Sequence, residues 1–344
     1  MSTSRIPGSS RPEVRIDRSD VGRRVSVRRL EQVRDPATGR PVFRDAIGVL
    51  TSWDGSELSV LTRELTEVRI PEADLVAAKA VPLFPARRAE VPATGPVALQ
   101  RIAGRSWPAV EQQALGDWTL RAAAGFTKRA NSVQALGDPG HAPGAALDRV
   151  RQWYAERGLP AVVEVVLPGS APELTAELDR LGAVAESATL VRTAALTALT
   201  KAPGITEEGV ARVRLSRRAD EAWQSVYRRP GGAPAQAVSA VLHGGPSVWF
   251  ATVPGPEGSA PLAIGRCAVD GPWACLGAIE VQPAARRTGL ATALMAVLAA
   301  RAAEEGAQAA LLQVETGNDG ALALYDKLGF ATSHSYHYAR LPQA

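Results

Sequence analysis

Two stretches of this chain can be laid over each other, and that correspondence narrows its possible folds more than any other feature. Val133-Gln134 falls on Val281-Gln282, and Gly158 falls on Gly306, both 148 positions apart. Asp179, Leu181 and Gly182 fall on Asp326, Leu328 and Gly329, one position closer, so a single gap aligns the two stretches. Each carries the same succession of patterns: strand, loop, helix, strand, helix, strand. In the second, Leu290, Leu294, Val297 and Leu298 recur at helical spacing and Gly306 stops the helix. Residues 309–314 then form an apolar run of strand length, 320–328 a helix ended by Gly329, and 335–341 a terminal strand. In the first, strands are expected at 118–124 and 130–136, a helix at 145–157, a buried strand at 161–167, a helix at 172–181 and a strand at 187–193. A duplicated α/β unit accounts for the shared order; chance likeness between two Ala-rich stretches is the competing explanation.

The region before the repeat has another texture. From Val21 to Pro82 apolar residues alternate in short runs, and Trp53-Asp54-Gly55 is a turn signal. Short strands with a turn every ~10 residues predict a small all-β barrel. Residues 1–20 are poor in apolar side chains and read as a flexible arm, and 83–100, rich in Pro and Ala, as a linker. The expected division is an arm at 1–20, a barrel at 21–82, a linker at 83–100, a first α/β unit at 101–196, a connector at 197–210 and a second unit at 211–344.

Composition closes off several classes. Two cysteines, Cys267 and Cys275, exclude a disulfide framework and a structural zinc module, so no metal is expected. A hairpin centred on Gly271 would set them opposite each other as a reduced pair. No apolar run approaches the ~18 residues of a membrane span, and the N-terminus lacks an apolar signal region; a cytoplasmic protein with no membrane partner is expected. The net charge of +4 hints at nucleic acid, but only four of the basic residues are lysine (Lys79, Lys128, Lys201, Lys327) and the arginines pervade the chain. Their one cluster, 5–34, has no interleaved aromatics to stack on bases, so a solvated tail is read in preference to a nucleic-acid module.

The chemistry concentrates in 277–330. A strand ends at Val281, and a short loop enters a helix near Gly289. The first turn of a helix leaves four N–H groups unpaired at the positive end of its dipole, where an anion such as pyrophosphate can sit. Gly289 and Ala291 would let that anion approach the backbone, and the preceding loop can form a nest of N–H groups.

Arg286-Arg287-Thr288-Gly289-Leu290-Ala291 resembles the (Q/R)-x-x-G-x-(G/A) loop of the GNAT superfamily of acyl-CoA-dependent N-acetyltransferases, with the family's Val-x-Pro prelude in Val281-Gln282-Pro283. Downstream, Asn318, Ala321, Leu324-Tyr325 and Gly329-Phe330 match its N-x-x-A-x-x-L-Y-x-x-x-G-F pattern. The likeness covers roughly 213–341. It implies acetyl-CoA as cosubstrate and a primary amine as acceptor. Ile279 and Val281 would pair with the pantetheine amides. The amides of Arg287, Thr288, Gly289, Leu290, Ala291 and Thr292 would hold the pyrophosphate, with Arg286 of the same loop also binding the cofactor. Asn318 would touch the pantetheine, and Tyr325 would protonate the departing thiolate. Where the lysine-acetylating branch of the family has a glutamate, this chain has Cys275. Glu280, on the same strand, is the substitute named as general base; Glu315, His334, His337 and a water relay are the alternatives.

The first copy reads Val133-Gln134-Ala135-Leu136-Gly137-Asp138-Pro139-Gly140-His141 at the aligned place, without the arginines and with Leu178 opposite Tyr325. A silent copy is expected. Asp117–Arg121 and Gly125–Val133, with Leu312–Glu315 and Tyr336-His337-Tyr338-Ala339-Arg340, resemble tandem GNAT proteins that carry an SH3-like N-terminal barrel. The fold class expected is therefore α/β with a mixed sheet: two tandem GNAT-like units, the first degenerate, preceded by a small all-β SH3-like barrel. Arg121, Thr127, Arg129, Asn131 and Ser132 stand either as an acceptor pocket or as support for a strand pair. The rival function is an acyl-CoA-binding scaffold without turnover. The acceptor and the oligomeric state are not specified by the sequence.

Overall fold

The structure, a computed structural model, describes residues 14–36, 38–62, 66–81, 91–227 and 232–342. The chain divides into two compact units that part between residues 86 and 87.

The N-terminal unit is all-β. Strands β1 (Val14–Arg15), β2 (Arg24–Arg34), β3 (Pro41–Trp53), β4 (Glu57–Thr62), β5 (Glu67–Pro71) and β6 (Leu75–Ala80) form one sheet in the order β1-β6-β2-β3-β4-β5. Alternation builds its core: Val25, Val27, Leu50, Leu58, Val60 and Ile70 are fully buried. The Trp53-Asp54-Gly55 turn joins β3 to β4, and the Asp54 carboxylate accepts the amides of Ser56 and Glu57 at 2.8 and 3.0 Å. Two expectations are corrected. The flexible arm does not run to residue 20, because β1 pairs in parallel with β6 and Ile16 is buried beside it. Residues 1–13 lie outside the described residues. The linker does not run to residue 100, because a helix begins at Pro96, a residue suited to the first helical position; 82–90 lie outside the described residues.

The second unit contains both copies of the repeat. Its first half runs α1 (Pro96–Ser106), β7 (Glu111–Leu115), β8 (Trp118–Ala122), β9 (Val133–Gln134), α2 (Pro143–Ala155), β10 (Val162–Leu167), α3 (Pro172–Arg180) and β11 (Val184–Ala195). The expected connector coincides with most of two short helices, α4 (Leu196–Thr200) and α5 (Glu207–Ala211), and Leu199 within it is buried. The second half runs β12 (Arg214–Ser216), α6 (Glu221–Val226), α7 (Ala235–His243), β13 (Val248–Val253), β14 (Ala263–Asp270), β15 (Trp273–Val281), α8 (Leu290–Glu304), β16 (Ala309–Glu315), α9 (Asp319–Lys327) and β17 (Ala331–Arg340).

The two halves are not separate domains. All eleven strands form one sheet in the order β12-β13-β14-β15-β16-β11-β17-β10-β9-β8-β7. Each half gives its last strand to the other. β11 pairs antiparallel with β16, and β17 pairs antiparallel with β10. The exchanged strands then pair with each other at the centre. β15∥β16 and β9∥β10 flank them on either side, so the sheet repeats about its own middle. Division at 197–210 therefore cuts a continuous ladder.

One face of the sheet carries a single core that spans both halves, from Val162 and Val191 through Tyr336 to Phe250 and Trp273, covered by Leu99 and Trp107 at α1 and by Trp223 and Val241 on α6 and α7. The other face carries two cores. Leu290, Leu294 and Leu298 of α8 fill one, and Leu147, Val150 and Leu174 of α2 and α3 fill the other. The two cysteines do not face each other. The two-residue Gly271-Pro272 turn pairs Asp270 with Trp273, which sets Cys267 across from Leu276 and Cys275 across from Ala268. A shift of one residue puts them on opposite faces, both buried and unbridged.

Candidate active site

A cavity of about 1470 Å³ opens where β15 and β16 part. The two strands pair only from Trp273/Ala309 to Leu276/Leu312, although β15 continues to Val281 and β16 to Glu315. The cause lies on the other edge of β15. Its register with β14 shifts between Ile264/Glu280 and Arg266/Gly277, and Ala278 sits in the left-handed region at φ 50°. A bulge of this kind bends its strand and re-aims the residues beyond it. Five residues, Gly277 to Val281, thereby lose their partner on β16 and line the cavity with Gln313, Val314 and Glu315 opposite. The parted strands leave main-chain groups that no β-ladder satisfies, a slot suited to an extended ligand bearing amides.

At its outer end the slot meets the head of α8. After a 3-10 turn at Pro283–Ala285, Arg287 takes φ 67° and Gly289 φ 82°. The Arg286 N–H closes that turn on Pro283, and the Ala293 N–H makes the first helical bond, to Gly289. Between them, the amides of Arg287, Thr288, Gly289, Leu290, Ala291 and Thr292 donate to no carbonyl or side chain among the described residues. Side chains brace the loop: Thr288 Oγ1 donates to the Ala285 carbonyl at 2.7 Å, Arg286 Nε to Val281 at 3.3 Å, and Leu290 is anchored in the core. Left-handed Arg287 and Gly289 break the extended path between the 3-10 turn and α8, and the helix dipole adds positive charge at these amides.

The residues expected from the sequence are largely brought together. Ile279, Glu280, Val281, Arg286, Arg287, Gly289, Leu290, Ala291, Thr292, Asn318 and Tyr325 all line the cavity; Thr288 braces it from behind. Tyr325 projects from α9, buried, with its ring edge-on to Phe330 at 5.6 Å between centroids. Asn318 caps α9, its Oδ1 accepting from the Ala321 amide at 3.2 Å, so its carboxamide oxygen is already engaged. Of the base candidates, Glu280 and Glu315 line the cavity and the two histidines do not. His334 is buried, with Nε2 3.0 Å from Gln100 Oε1, and burial lowers it to about 4. His337 points to the opposite face, near Asp179, also lowered by burial.

The inner end is built by residues that sequence reasoning passed over: Trp107, Tyr227, Arg266, Tyr336 and Tyr338, together with Cys275. Tyr336 and Tyr338 could have been found, since alternation about His337 sets both phenols on one face. Arg266 could have been found as the one basic residue of β14, set among apolar and small neighbours with Asp270 only at the strand's end. Trp107 carried no signal, because it follows α1, far away in sequence. Burial pushes the Cys275 thiol up to about 12, so it stays neutral where the family's glutamate would be charged. The cluster at 121–132 splits in two. Thr127 and Arg129 reach the cavity. Arg121, Asn131 and Ser132 do not: Arg121 pairs with Glu164 at 3.0 Å and donates to Ser132 Oγ at 2.8 Å, and Asn131 holds the loop by accepting the amides of Ala123 and Gly125.

The first half differs. Gln134 and Arg121 both bond Glu164, and β9 ends at its last pair with β10 instead of running on unpaired. The loop to α2 satisfies itself: Asp117 accepts the Asp138 amide at 3.0 Å, Asp138 accepts that of Gly140 at 2.8 Å, and Pro143 removes a donor at the head of the helix.

The family model described as "Probable histone acetyltransferase Rv0428c C-terminal" matches residues 97–339. The chain belongs to that family of GNAT N-acetyltransferases. Residues 16–90 match a domain of unknown function, DUF6725. This GNAT chain is 34% identical over 151 residues to the probable histone acetyltransferase Rv0428c of Mycobacterium tuberculosis, across 43% of this chain and 46% of that protein, so it spans under half of that relative's length. It is 27% identical over 249 residues to the uncharacterized N-acetyltransferase YobR of Bacillus subtilis, across 70% of this chain and 96% of that one. In fold it is similar to a GCN5-related N-acetyltransferase from Kribbella flavida (TM-score 0.53, 19% identity, 73% of this chain and 98% of that one). It is also similar to a tandem GNAT protein from the clavulanic acid biosynthesis pathway (TM-score 0.50, 14% identity, 73% and 92%). No helix among the described residues is long and apolar enough to cross a membrane.

Proposed function

We propose that the protein transfers the acetyl group of acetyl-CoA to a primary amine by direct attack in the cavity at β15 and β16. One observation carries this reading: two strands part, and the slot between them ends on six consecutive amides without acceptors. Those amides, Arg287 to Thr292, suit a pyrophosphate, and the chain between Gly277 and Val281 suits the pantetheine arm. The thioester then lies toward the closed end of the slot, within reach of Tyr325. The amine nitrogen attacks the carbonyl carbon, the C–N bond forms and the C–S bond breaks. The proton lost by the amine goes to Glu280 directly or through water, and Tyr325 protonates the leaving thiolate. Tyrosine (~10) and thiol (~8.5) are matched closely enough for that transfer.

Calorimetry with CoA and an assay of thiol release across small amines, peptides and aminoglycosides test the proposal. One CoA bound per chain with amine-dependent thiol release is expected. Absence of CoA binding overturns it; binding without thiol release for any amine leaves a scaffold instead of an enzyme. The acceptor is sought first among protein amino groups, as the histone acetyltransferase name of the matching family suggests, and among small amines, which an enclosed inner end favours.

A further inference from the structure

The inner end of the cavity holds two arginines that pair with no carboxylate among the described residues. Arg266 projects from β14 across from Gly277, where β15 begins to leave β16. It is 1% exposed; Nε donates to the Leu242 carbonyl at 2.7 Å and an Nη to that of Gly244 at 2.6 Å. Arg129 comes to the same place from the 3-10 turn Lys128–Ala130, beside Tyr336. Both guanidiniums stand over the Trp107 ring, Arg266 at 4.8 Å and Arg129 at 5.3 Å from its centroid. Neither meets a carboxylate among the described residues, and Arg129 Nε is buried without a hydrogen bond. The neighbouring charges are settled elsewhere: Lys128 pairs with Glu186 at 3.0 Å, and Glu164 with Arg121 at 3.0 Å. Burial lowers Arg266 to about 10, and the charge of Arg129 acts in the same direction; both are cations at neutral pH. An indole offsets part of the cost of two such charges, and an anion offsets far more.

We infer that the acceptor amine carries a carboxylate, which Arg129 and Arg266 hold beside Trp107. The inference rests on the transferase reading of this cavity and deepens it. It places the carboxylate on the acceptor because Trp107 and Arg129 belong to elements outside the β15–β16 slot that suits CoA. It also sets this chain apart from enzymes of cationic tails, since a lysine-rich segment would add charge of the same sign.

The test compares free lysine and phenylalanine with lysinamide and phenylalaninamide. Thiol release is measured with acetyl-CoA, and calorimetric binding with CoA-saturated protein. The amide's amine is less basic and more available at neutral pH, so intrinsic reactivity opposes the expected order. Wild type should prefer the carboxylates by about 10- to 100-fold in kcat/KM and in affinity, the range of a charge-assisted bond. In Arg129→Gln that ratio should fall toward one while CoA affinity stays at its wild-type value; Arg129→Lys should restore part of the ratio. A thermal melt of each variant confirms folding, and Tyr336→Phe, which removes one hydroxyl only, should lower the ratio less. Equal use of acid and amide by wild type overturns the inference, as does a ratio that survives in Arg129→Gln. Preference for succinyl-CoA over acetyl-CoA with the amides as acceptors assigns the carboxylate to the acyl chain and overturns it too. If no amine releases thiol, the transferase reading fails, while the binding ratio still decides whether the inner end recognises a carboxylate.

Discussion

The two halves of the sheet show how one strand–loop–helix unit can be kept as scaffold or kept as a site. In the second half a bulge at Ala278 parts β15 from β16, and the loop before α8 leaves its amides unused. In the first half Arg121 and Gln134 bond Glu164, Gln134 and Glu164 are partners in the β9–β10 ladder, and the loop before α2 engages the amides of Asp138 and Gly140 on Asp117 and Asp138. The Arg121–Glu164 ion pair is buried to 3% and 0% exposure. Polar groups in the interior must find partners, and each half has solved that requirement differently, one internally and one by leaving it to a ligand.

That contrast can be broken at several points. Tyr325 and Leu178 occupy corresponding places, and only Tyr325 has a proton to give. Tyr325→Phe should lower turnover by ~10²–10⁴-fold with unchanged CoA affinity, read by steady-state kinetics against calorimetry; loss of CoA binding instead would reassign the side chain to cosubstrate recognition. Glu164→Ala leaves Arg121 buried without its partner and should cost ~3–5 kcal/mol of stability, measured by denaturant unfolding. Replacing both, as Arg121→Met with Glu164→Leu, should recover most of that loss; a near-zero effect of the single change would mean the filled gap is not what holds the first half.

The cofactor side of the comparison is sharpened by charge. Ala291→Glu sets a carboxylate among the free amides of α8 and should weaken CoA binding by about 100-fold, whereas His141→Glu at the corresponding loop should leave it unchanged. A stoichiometry of two CoA per chain would contradict the whole distinction. The smallest effect concerns His334, buried at the centre of the sheet and lowered to about 4 from an ordinary 6.5. Its neutral form is favoured by folding, so the unfolded chain binds the proton first and stability is lost as pH falls below about 6.5. Between pH 7 and 5 that amounts to about 2 kcal/mol, and His334→Gln should flatten the profile of unfolding midpoint against pH.

Much of this molecule was legible from residue patterns because the relevant signals are local. The helix opened at Leu290 and closed near Gly306, the buried run at 309–314 and the loop Arg286–Ala291 all follow from neighbours within a few positions, and the structure places them accordingly. Boundaries failed where a neighbour distant in sequence decided the outcome. Val14–Arg15 becomes a strand only because β6 offers an edge, and Cys267 misses Cys275 by one position because the turn has two residues.

The amino-acid order by itself determined the repeated unit, the Arg286–Ala291 loop that opens α8 and the loss of its arginines in the first copy, since each is written in adjacent residues. Tertiary structure alone decided that the halves exchange β11 and β17, and so that Trp107 and Arg129 of the first half wall a cavity whose cofactor slot lies in the second. Strand exchange is a choice between hydrogen-bonding partners of nearly equal quality. Packing across the whole sheet makes that choice, and no short stretch of sequence records it.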